Sequence, residues 1–218
     1  SYGTPALPQP GRALKALLIA NAAVFVIQLI VAPPVGPLGT FYDVFALSRD
    51  GIGGGRVWQL VTYAFLHGGM LHLLMNLLGL YFFGHEMEAT LGSRDFVRLY
   101  LLCAVVAGLG WLVLSGGGAR CIGASGAVFG VIGMFAALFP QRRVTLLLFL
   151  VFPVTLSARA LALGFMGFSF LMLLDASGGI AHAAHLFGGL CGYGLGWMAT
   201  HGRGPARRWD AFRARRRR

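Results

Sequence analysis

Residues 122–130 read IGASGAVFG, which places one hydroxyl between glycines where a polar loop gives way to a long apolar run. Ser125 is therefore either a helix cap or a nucleophile. The cap is the commoner role, because Ser is among the preferred residues at helix N-termini and a neighbouring glycine is ordinary in loops. The positions of the other polar residues in the chain decide between the two roles.

The composition indicates that most of this chain is surrounded by lipid. Of its 218 residues, 57% are hydrophobic and 11% are charged, and the mean hydropathy is +0.73. A soluble domain of this composition would have too little polar surface for water. Three cysteines are too few and too scattered for a disulfide framework. The sequence therefore predicts an integral membrane protein with several spans.

The two ends of the chain differ from the middle. Residues 1–11 are rich in proline and glycine and are predicted to be a disordered N-terminal lead. Residues 201–218 contain eight of the arginines that give the chain its formal net charge of +11. A basic segment that follows a hydrophobic helix typically holds the end of that helix at the anionic cytoplasmic leaflet of the membrane. We therefore expect no nucleic-acid partner.

Six apolar runs are predicted to be membrane helices. The first run follows Arg12 and Lys15 and lacks a small-residue cleavage site, which favours a retained helix over a signal peptide. Residues 33–62 combine aromatic rings, Gly, Pro and both signs of charge, as expected of a loop in the membrane interface. The predicted helices cover residues 14–32, 67 or 70 to 87, 96–114, 125–139, 158–174 and 181–200.

The positive-inside bias distinguishes six spans from seven. With six, fifteen of the eighteen Lys and Arg residues lie on the cytoplasmic side. A seventh span at residues 144–155 would carry the arginine tail across the membrane, so this stretch is predicted to be an apolar, membrane-associated connection. The predicted fold is all-α, with six transmembrane helices over residues 12–200 and a long interface loop between the first two.

Four polar residues share one depth in this topology. Helices two, four and six run from outside to inside, and His72, Asn76, Ser125 and His185 each lie within about the first two turns, on the order of 10 Å below the surface. Ionisable side chains inside a membrane are costly and usually mark a function or a partner. A single buried histidine is bonded to a nearby backbone carbonyl about as often as it has a functional role. Four polar residues at one depth, however, favour a Ser–His pair.

Small residues recur every three or four positions on the two helices that carry this pair. Helix four has Gly126 and Gly130, and helix six has Gly188 and Gly192, each within a longer stripe. Such stripes let helix backbones approach closely in lipid, although they also occur in general helix packing. A close crossing is what a hydrogen bond between short Ser and His side chains requires.

Four short motifs accompany these residues: GASG at 123–126, H-x-x-x-x-H-x-x-x-N at 67–76, A-H-x-x-G-x-x-x-G at 184–192 and E-x-x-x-G at 88–92. Together they resemble the rhomboid family of intramembrane serine proteases, over about residues 14–200. Trp58 precedes the second helix as in the family, although Gln59 stands where the family often has Arg. This difference at Gln59 bears on the anchoring of the loop more than on chemistry.

The resemblance implies a catalytic dyad, with Ser125 as nucleophile and His185 as general base and acid. It also implies an oxyanion site formed by His72, Asn76 and the Ser125 backbone amide, and it implies that Phe129 packs on His185. The implied partners are transmembrane protein substrates and the lipid bilayer, with no cofactor and no metal. The supporting residues are Gly123, Gly126, Gly188, Gly192, His67 and Trp58.

The residue types support this chemistry without the family. Ser needs a neighbouring base to become nucleophilic, and a neutral imidazole is well matched to that task near neutral pH. An oxyanion needs preorganised donors, which a carboxamide and an amide at a helix start can supply. The acidic residues of the membrane region lie in loops or at the far membrane face, so the sequence predicts a dyad and not a triad.

Three other functions fit the sequence less well than a protease. A catalytically inactive rhomboid-like chaperone or binding protein would be expected to lack the Ser or the His, and this chain has both. A transporter would be expected to show an inverted repeat or a carboxylate chain, and neither is apparent. Zinc binding by the histidines is disfavoured because no carboxylate or thiolate lies at their depth. We therefore expect a serine endopeptidase of a bacterial inner membrane, with both termini cytoplasmic and the active site opening to the outside.

Overall fold

A computed structural model describes residues 9–31, 39–114, 119–148, 151–174 and 180–201. The predicted lead and the arginine tail therefore lie almost entirely outside the described residues. The described elements, in chain order, are α1 (Arg12–Val31), α2 (Gly39–Phe45), α3 (Arg49–Gly53), α4 (Gln59–Thr62), a 3₁₀ turn (Tyr63–Phe65), α5 (Met70–Leu91), α6 (Ser93–Leu114), α7 (Ser125–Leu138), β1 (Arg143–Leu148), β2 (Phe152–Ser157), α8 (Ala158–Leu174) and α9 (Ile180–Thr200).

Each of the six apolar runs forms a helix whose ends lie within four residues of the predicted ones. By length and composition, α1 and α6 are able to cross a membrane. A third span arises if Gln59–Phe65 and Met70–Leu91, which meet at a 100° bend, are counted together. The helices α7 and α8 are apolar but shorter. The described protein is thus mostly helical and suited to a membrane.

The described part of the loop between α1 and α5 contains three short helices. Gln59 joins two of its segments, because its fully buried amide accepts from Ser48 N at 3.2 Å and donates to Asp43 O at 2.7 Å. Trp58 donates from its indole nitrogen to Val44 O at 2.8 Å. Gln59 therefore anchors the loop through neutral hydrogen bonds at the position where the family often has a charged arginine.

The connection between α7 and α8 departs from the predicted all-α architecture. Residues 143–148 and 152–157 form an antiparallel pair of strands in which β1 pairs with β2 from Arg143 opposite Ser157 to Leu148 opposite Phe152. The hydroxyls of Thr145 and Thr155 lie 2.8 Å apart across the ribbon. Five β-branched residues between positions 144 and 155 favour strands over helix here.

One buried carboxylate holds three helices together. Glu88 on α5 accepts from the backbone amides of Ala13 and Leu14 at 2.9 Å each and from Ser93 Oγ at 2.6 Å. Those amides belong to the first turn of α1, where backbone donors have no partner within the helix and the helix dipole favours a negative charge. Glu88 thereby joins the start of α1 to the junction of α5 and α6.

The core of the protein is built around α7. Eleven of its fourteen residues are buried. On its side facing α9 the two backbones touch, because a Cβ placed on Gly188 would overlap the carbonyl oxygen of Gly126, and one on Gly192 would overlap that of Gly130. These glycines fix how closely α7 and α9 approach, and α7 and α9 are the helices that carry Ser125 and His185.

Candidate active site

Ser125 is the first residue of α7, and its side chain does not cap the helix. The N-cap position belongs to Ala124 and makes no side-chain hydrogen bond. The hydroxyl of Ser125 instead lies 2.7 Å from Nε2 of His185, sixty residues further along the chain. The commoner interpretation of a serine at a helix start is therefore wrong for this residue.

His185 is held by an aromatic stack. Its ring lies parallel to that of Phe129, with centroids 4.4 Å apart and planes within 13°. Phe129 lies one turn after Ser125 on the same face of α7, and its other neighbour is Phe165 of α8 at 5.6 Å. Because the stack fixes the plane of the imidazole, Nε2 remains directed at the serine hydroxyl. Both Ser125 and His185 are half-buried.

Gly123 leaves a space between His72 and Ser125. Its φ of +124° lies in the left-handed region that favours glycine. A Cβ at this position would lie 2.9 Å from Nε2 of His72 and 3.7 Å from Oγ of Ser125. Gly123 is thus required both by its backbone conformation and by the approach of the histidine, and the space beside it is bordered by the Ser125 hydroxyl and a ring nitrogen of His72.

The hydrogen bonds of His72 determine which of its nitrogens carries the proton. The amide of Gly68 donates to Nδ1 at 3.3 Å. An N–H can only donate, so Nδ1 is the acceptor, and in the neutral ring the proton lies on Nε2. His72 therefore presents a donor toward the space beside Gly123, which is the role expected of a residue in an oxyanion site.

Of the remaining predicted residues, some contact the cluster formed by Ser125, His185 and His72, and one does not. Asn76 is buried and its amide donates to the carbonyl of His72 at 2.8 Å, which leaves its second amide proton for another acceptor. His67 is 1% exposed and packs edge-on against His72 with ring centroids 5.2 Å apart. Trp58 contacts α2 rather than this cluster. Asn76, predicted for the oxyanion site, and His67, predicted to support it, thus both lie beside His72.

Two residues that the sequence did not single out support the site, Tyr63 at the loop before Ser125 and Gly68 beside His72. The carbonyl of Tyr63 accepts from Gly123 N at 2.9 Å, while the Tyr63 hydroxyl donates to Ala104 O on α6 at 2.7 Å. Gly68 contributes only a backbone amide. Tyr63 directly follows the predicted interface loop of residues 33–62 and carries no motif, and a backbone donor leaves no trace in residue type. Gln28, within the apolar run of α1, was also passed over.

Four of the described carboxylates are engaged away from His185. Asp43 pairs with Arg120, Asp95 with Arg98 at 3.0 Å, and Glu86 with Arg142 at 2.7 Å, while Glu88 caps α1. Within the described ranges, no group of three or more His, Cys, Asp or Glu side chains is arranged to hold a metal ion. The cluster around Ser125 is therefore built from a hydroxyl, imidazoles and amides.

Comparison with known proteins gives matches over the same region. A family model described as Rhomboid domain matches residues 54–202, which include every candidate site residue. Rhomboid protein 1, mitochondrial, of Saccharomyces cerevisiae is 34% identical over 150 residues, covering 65% of this chain and 42% of the yeast protein.

Two further relatives extend this comparison. RHOMBOID-like protein 12, mitochondrial, of Arabidopsis thaliana is 30% identical over 198 residues, covering 83% of this chain and 56% of the plant protein. Rhomboid protease GlpG of Yersinia pestis is 32% identical over 153 residues, covering 66% of this chain and 49% of the bacterial protein. The chain thus spans about half the length of the relatives that it matches.

Proposed function

Because the chain belongs to the rhomboid family, we propose that it is an intramembrane serine protease that hydrolyses peptide bonds in or near the transmembrane segments of membrane proteins. A relative named as a rhomboid protease supports an activity of this kind. The observation that carries the proposal is the 2.7 Å contact between Ser125 Oγ and His185 Nε2. That distance is short enough for direct proton transfer from hydroxyl to imidazole.

The reaction proceeds in two halves. In the first, His185 Nε2 takes the proton of Ser125 as Oγ attacks the carbonyl carbon of the scissile peptide. His185 then gives that proton to the leaving amine, which leaves an acyl ester on Ser125. In the second half, His185 takes a proton from water, the resulting hydroxide attacks the ester, and the proton returns to Ser125 Oγ. Phe129 keeps the imidazole plane fixed through both halves.

The negative charge of each tetrahedral intermediate requires donors beside Gly123. The backbone amide of Ser125, at the first turn of α7, has no acceptor within its own helix, and the helix dipole adds positive potential there. His72 contributes Nε2–H, and Asn76 contributes the amide proton that its bond to the His72 carbonyl leaves over. Donors fixed in advance stabilise the oxyanion without reorganisation.

We extend the proposal to six spans, two cytoplasmic termini, an active site open to the outside and a bacterial inner membrane. The positive-inside bias supports the orientation. At 1.5 Å per residue the 14 residues of α7 reach about 21 Å, so a helix that ends at the inner surface starts about 9 Å below the outer one. Ser125 would then lie at the depth that the sequence predicts.

The nucleophile is tested by fluorophosphonate labelling and by cleavage of a reporter transmembrane substrate. We expect the parent protein to label and cleave, and Ser125→Ala and His185→Ala to do neither while remaining monodisperse in detergent. Turnover retained in Ser125→Ala would overturn the mechanism. A folded parent that neither labels nor cleaves would favour the inactive rhomboid-like alternative.

Single cysteines at positions 49 and 208 test the orientation. A membrane-impermeant thiol reagent applied to intact cells should label position 49 and leave position 208 unlabelled. Background from Cys121 should be small, because its side chain is buried and burial raises the pKa of its thiol to about 12. Labelling at position 208 would contradict the proposed orientation.

A further inference from the structure

The helix α1 carries two buried polar side chains within an apolar sequence. Asn21 and Gln28 are 0% and 3% exposed. Asn21 donates to Leu17 O at 2.7 Å, within its own helix. The side chain of Gln28 is bonded instead to Tyr42 and His67, in the loop between α1 and α5. Polar groups inside a membrane are costly unless they are hydrogen-bonded, and they usually mark a function or a partner. The Gln28 amide, which bonds residues outside its own helix, is therefore a candidate for such a role.

Gln28 pairs with both backbone groups of His67. Its Oε1 accepts from His67 N at 2.9 Å, and its Nε2 donates to His67 O at 3.0 Å. The same Nε2 donates to the hydroxyl of Tyr42 at 2.9 Å. One side chain of α1 therefore holds the segment between the 3₁₀ turn and α5 in the way that a neighbouring β-strand would hold it.

A single peptide unit connects this contact to His72. The carbonyl of His67 and the amide of Gly68 belong to the same planar peptide group and point in opposite directions. Gln28 donates to the carbonyl side, and the amide side donates to Nδ1 of His72. A donor on the carbonyl both fixes the orientation of the plane and polarises the opposite N–H, which strengthens its bond.

We propose that Gln28 is a positioning residue for the oxyanion site, acting through the 67–68 peptide on His72. This inference rests on the proposed protease function. With Gln28 in place, the peptide holds the Nδ1 side of His72, the proton stays on Nε2, and Nε2–H faces the space beside Gly123. Without Gln28 the peptide plane is free to rotate, and His72 loses both its fixed tautomer and its fixed direction.

The substitution Gln28→Met tests this proposal, because Met has a similar length and makes none of the three hydrogen bonds. We expect kcat to fall by about 10- to 100-fold with KM little changed, which is less than the 10²- to 10³-fold cost of deleting an oxyanion donor. Asn21→Leu is the matched control, since it removes a buried amide from the same helix. It should leave kcat per folded protein within about twofold.

A double-mutant cycle separates positioning from general stability. If Gln28 acts through His72, then Gln28→Met in a His72→Ala background should lower kcat little further. Full additivity of the two losses would overturn the proposal, as would a kcat for Gln28→Met equal to that of the Asn21→Leu control. Should Gln28→Met fail to fold, Gln28→Asn serves in its place, because it keeps an amide that is too short to reach both groups of His67.

A readout that does not require activity keeps this proposal distinct from the proposed function. In protein with nitrogen-15 in its histidines, the imidazole shifts of His72 should indicate a proton on Nε2 in the parent and a mixture of tautomers in Gln28→Met. An inactive parent with the same shift change would reject the protease function and retain the coupling. An unchanged His72 spectrum in Gln28→Met would overturn the coupling itself.

Discussion

The helices α7 and α8 are both short, apolar and glycine-containing, yet their glycines lie in opposite surroundings. On α7, a Cβ at Gly133 would overlap the carbonyl oxygen of Gly189 on α9. The carbonyl oxygens of Gly126 and Gly130 lie so close to α9 that a Cβ on its Gly188 or Gly192 would overlap them. On α8, a Cβ at Gly164 or Gly167 would have no atom within 4 Å. Glycines on α7 therefore fix the distance between α7 and α9, whereas the glycines on α8 fix no helix-to-helix distance.

This difference indicates where the protein tolerates change. The α7–α9 contact joins backbone to backbone, so it has no side chain that could move aside, and it carries both proposed catalytic residues. The helix α8 leaves large side chains such as Phe168 and Leu171 more than half exposed. We expect activity to depend steeply on the first region and weakly on the second.

Among substitutions that leave Ser125 and His185 in place, the largest effect should come from Gly192→Leu. The new side chain would overlap the carbonyl of Gly130, so α9 must move away from α7 and stretch the Ser125–His185 contact. A displacement of about 1 Å can cost roughly 10²-fold in rate, and we expect cleavage and fluorophosphonate labelling to fall together by at least that factor. Initial rates of both reactions give the measurement.

Gly194→Leu is the matched control on the same helix, because a Cβ at Gly194 has no atom within 4 Å. It should retain most of the parent rate. Equal losses in the two variants would mean that any leucine on α9 is harmful. The tight crossing would then not be what positions the dyad.

An intermediate effect is expected for Phe129→Ala, which acts at the point where α7 meets both α8 and α9. The variant removes the stack on His185 while leaving the helix crossing intact. An aromatic stack contributes about 0.5–1.5 kcal/mol, so we expect kcat to fall by about 2- to 13-fold. Phe165→Ala removes only the α8 side of this contact and should cost less. A greater loss in Phe165→Ala than in Phe129→Ala would shift the orienting role to α8.

The smallest effect should follow from Gly167→Leu on α8. The position is open, and leucine is a better helix former than glycine by roughly 0.5–1 kcal/mol. We expect stability in detergent to stay equal or rise slightly and the cleavage rate to stay within about threefold of the parent. A loss comparable to that of Gly192→Leu would erase the distinction between the two helices.

The sequence predicted the helices well because lipid makes the signal simple. A run of apolar residues that ends at charges or prolines has few alternatives to a helix when no water is present to satisfy the backbone. The close approach of α7 to α9 was foreseen for a related reason, since stripes of small residues have a direct geometric meaning. The observed contact of Ser125 with His185 then depends on that approach.

Other features left a weak local signal or none. The strands at residues 143–148 and 152–157 were missed because the unbroken apolar run over positions 146–154 hides the alternation that normally identifies a strand, although β-branched residues favour strands there. The bond of Asn76 to its own helix depends on a side-chain rotamer. Gln28 is a single polar residue in an apolar run, and its three partners lie 14 and 39 residues away in sequence. Such partners follow only from the tertiary arrangement.

The space beside Gly123 has a stereochemical consequence for the proposed reaction. With His72 on one side of it and Ser125 on another, the carbonyl oxygen of a substrate has one place to point, so the serine can approach only one face of the planar peptide. Each tetrahedral centre would then form with a single handedness. A phosphonate inhibitor with a chiral phosphorus should therefore react through one enantiomer, and Gly123 would be the residue that makes the protein able to tell the two mirror images apart.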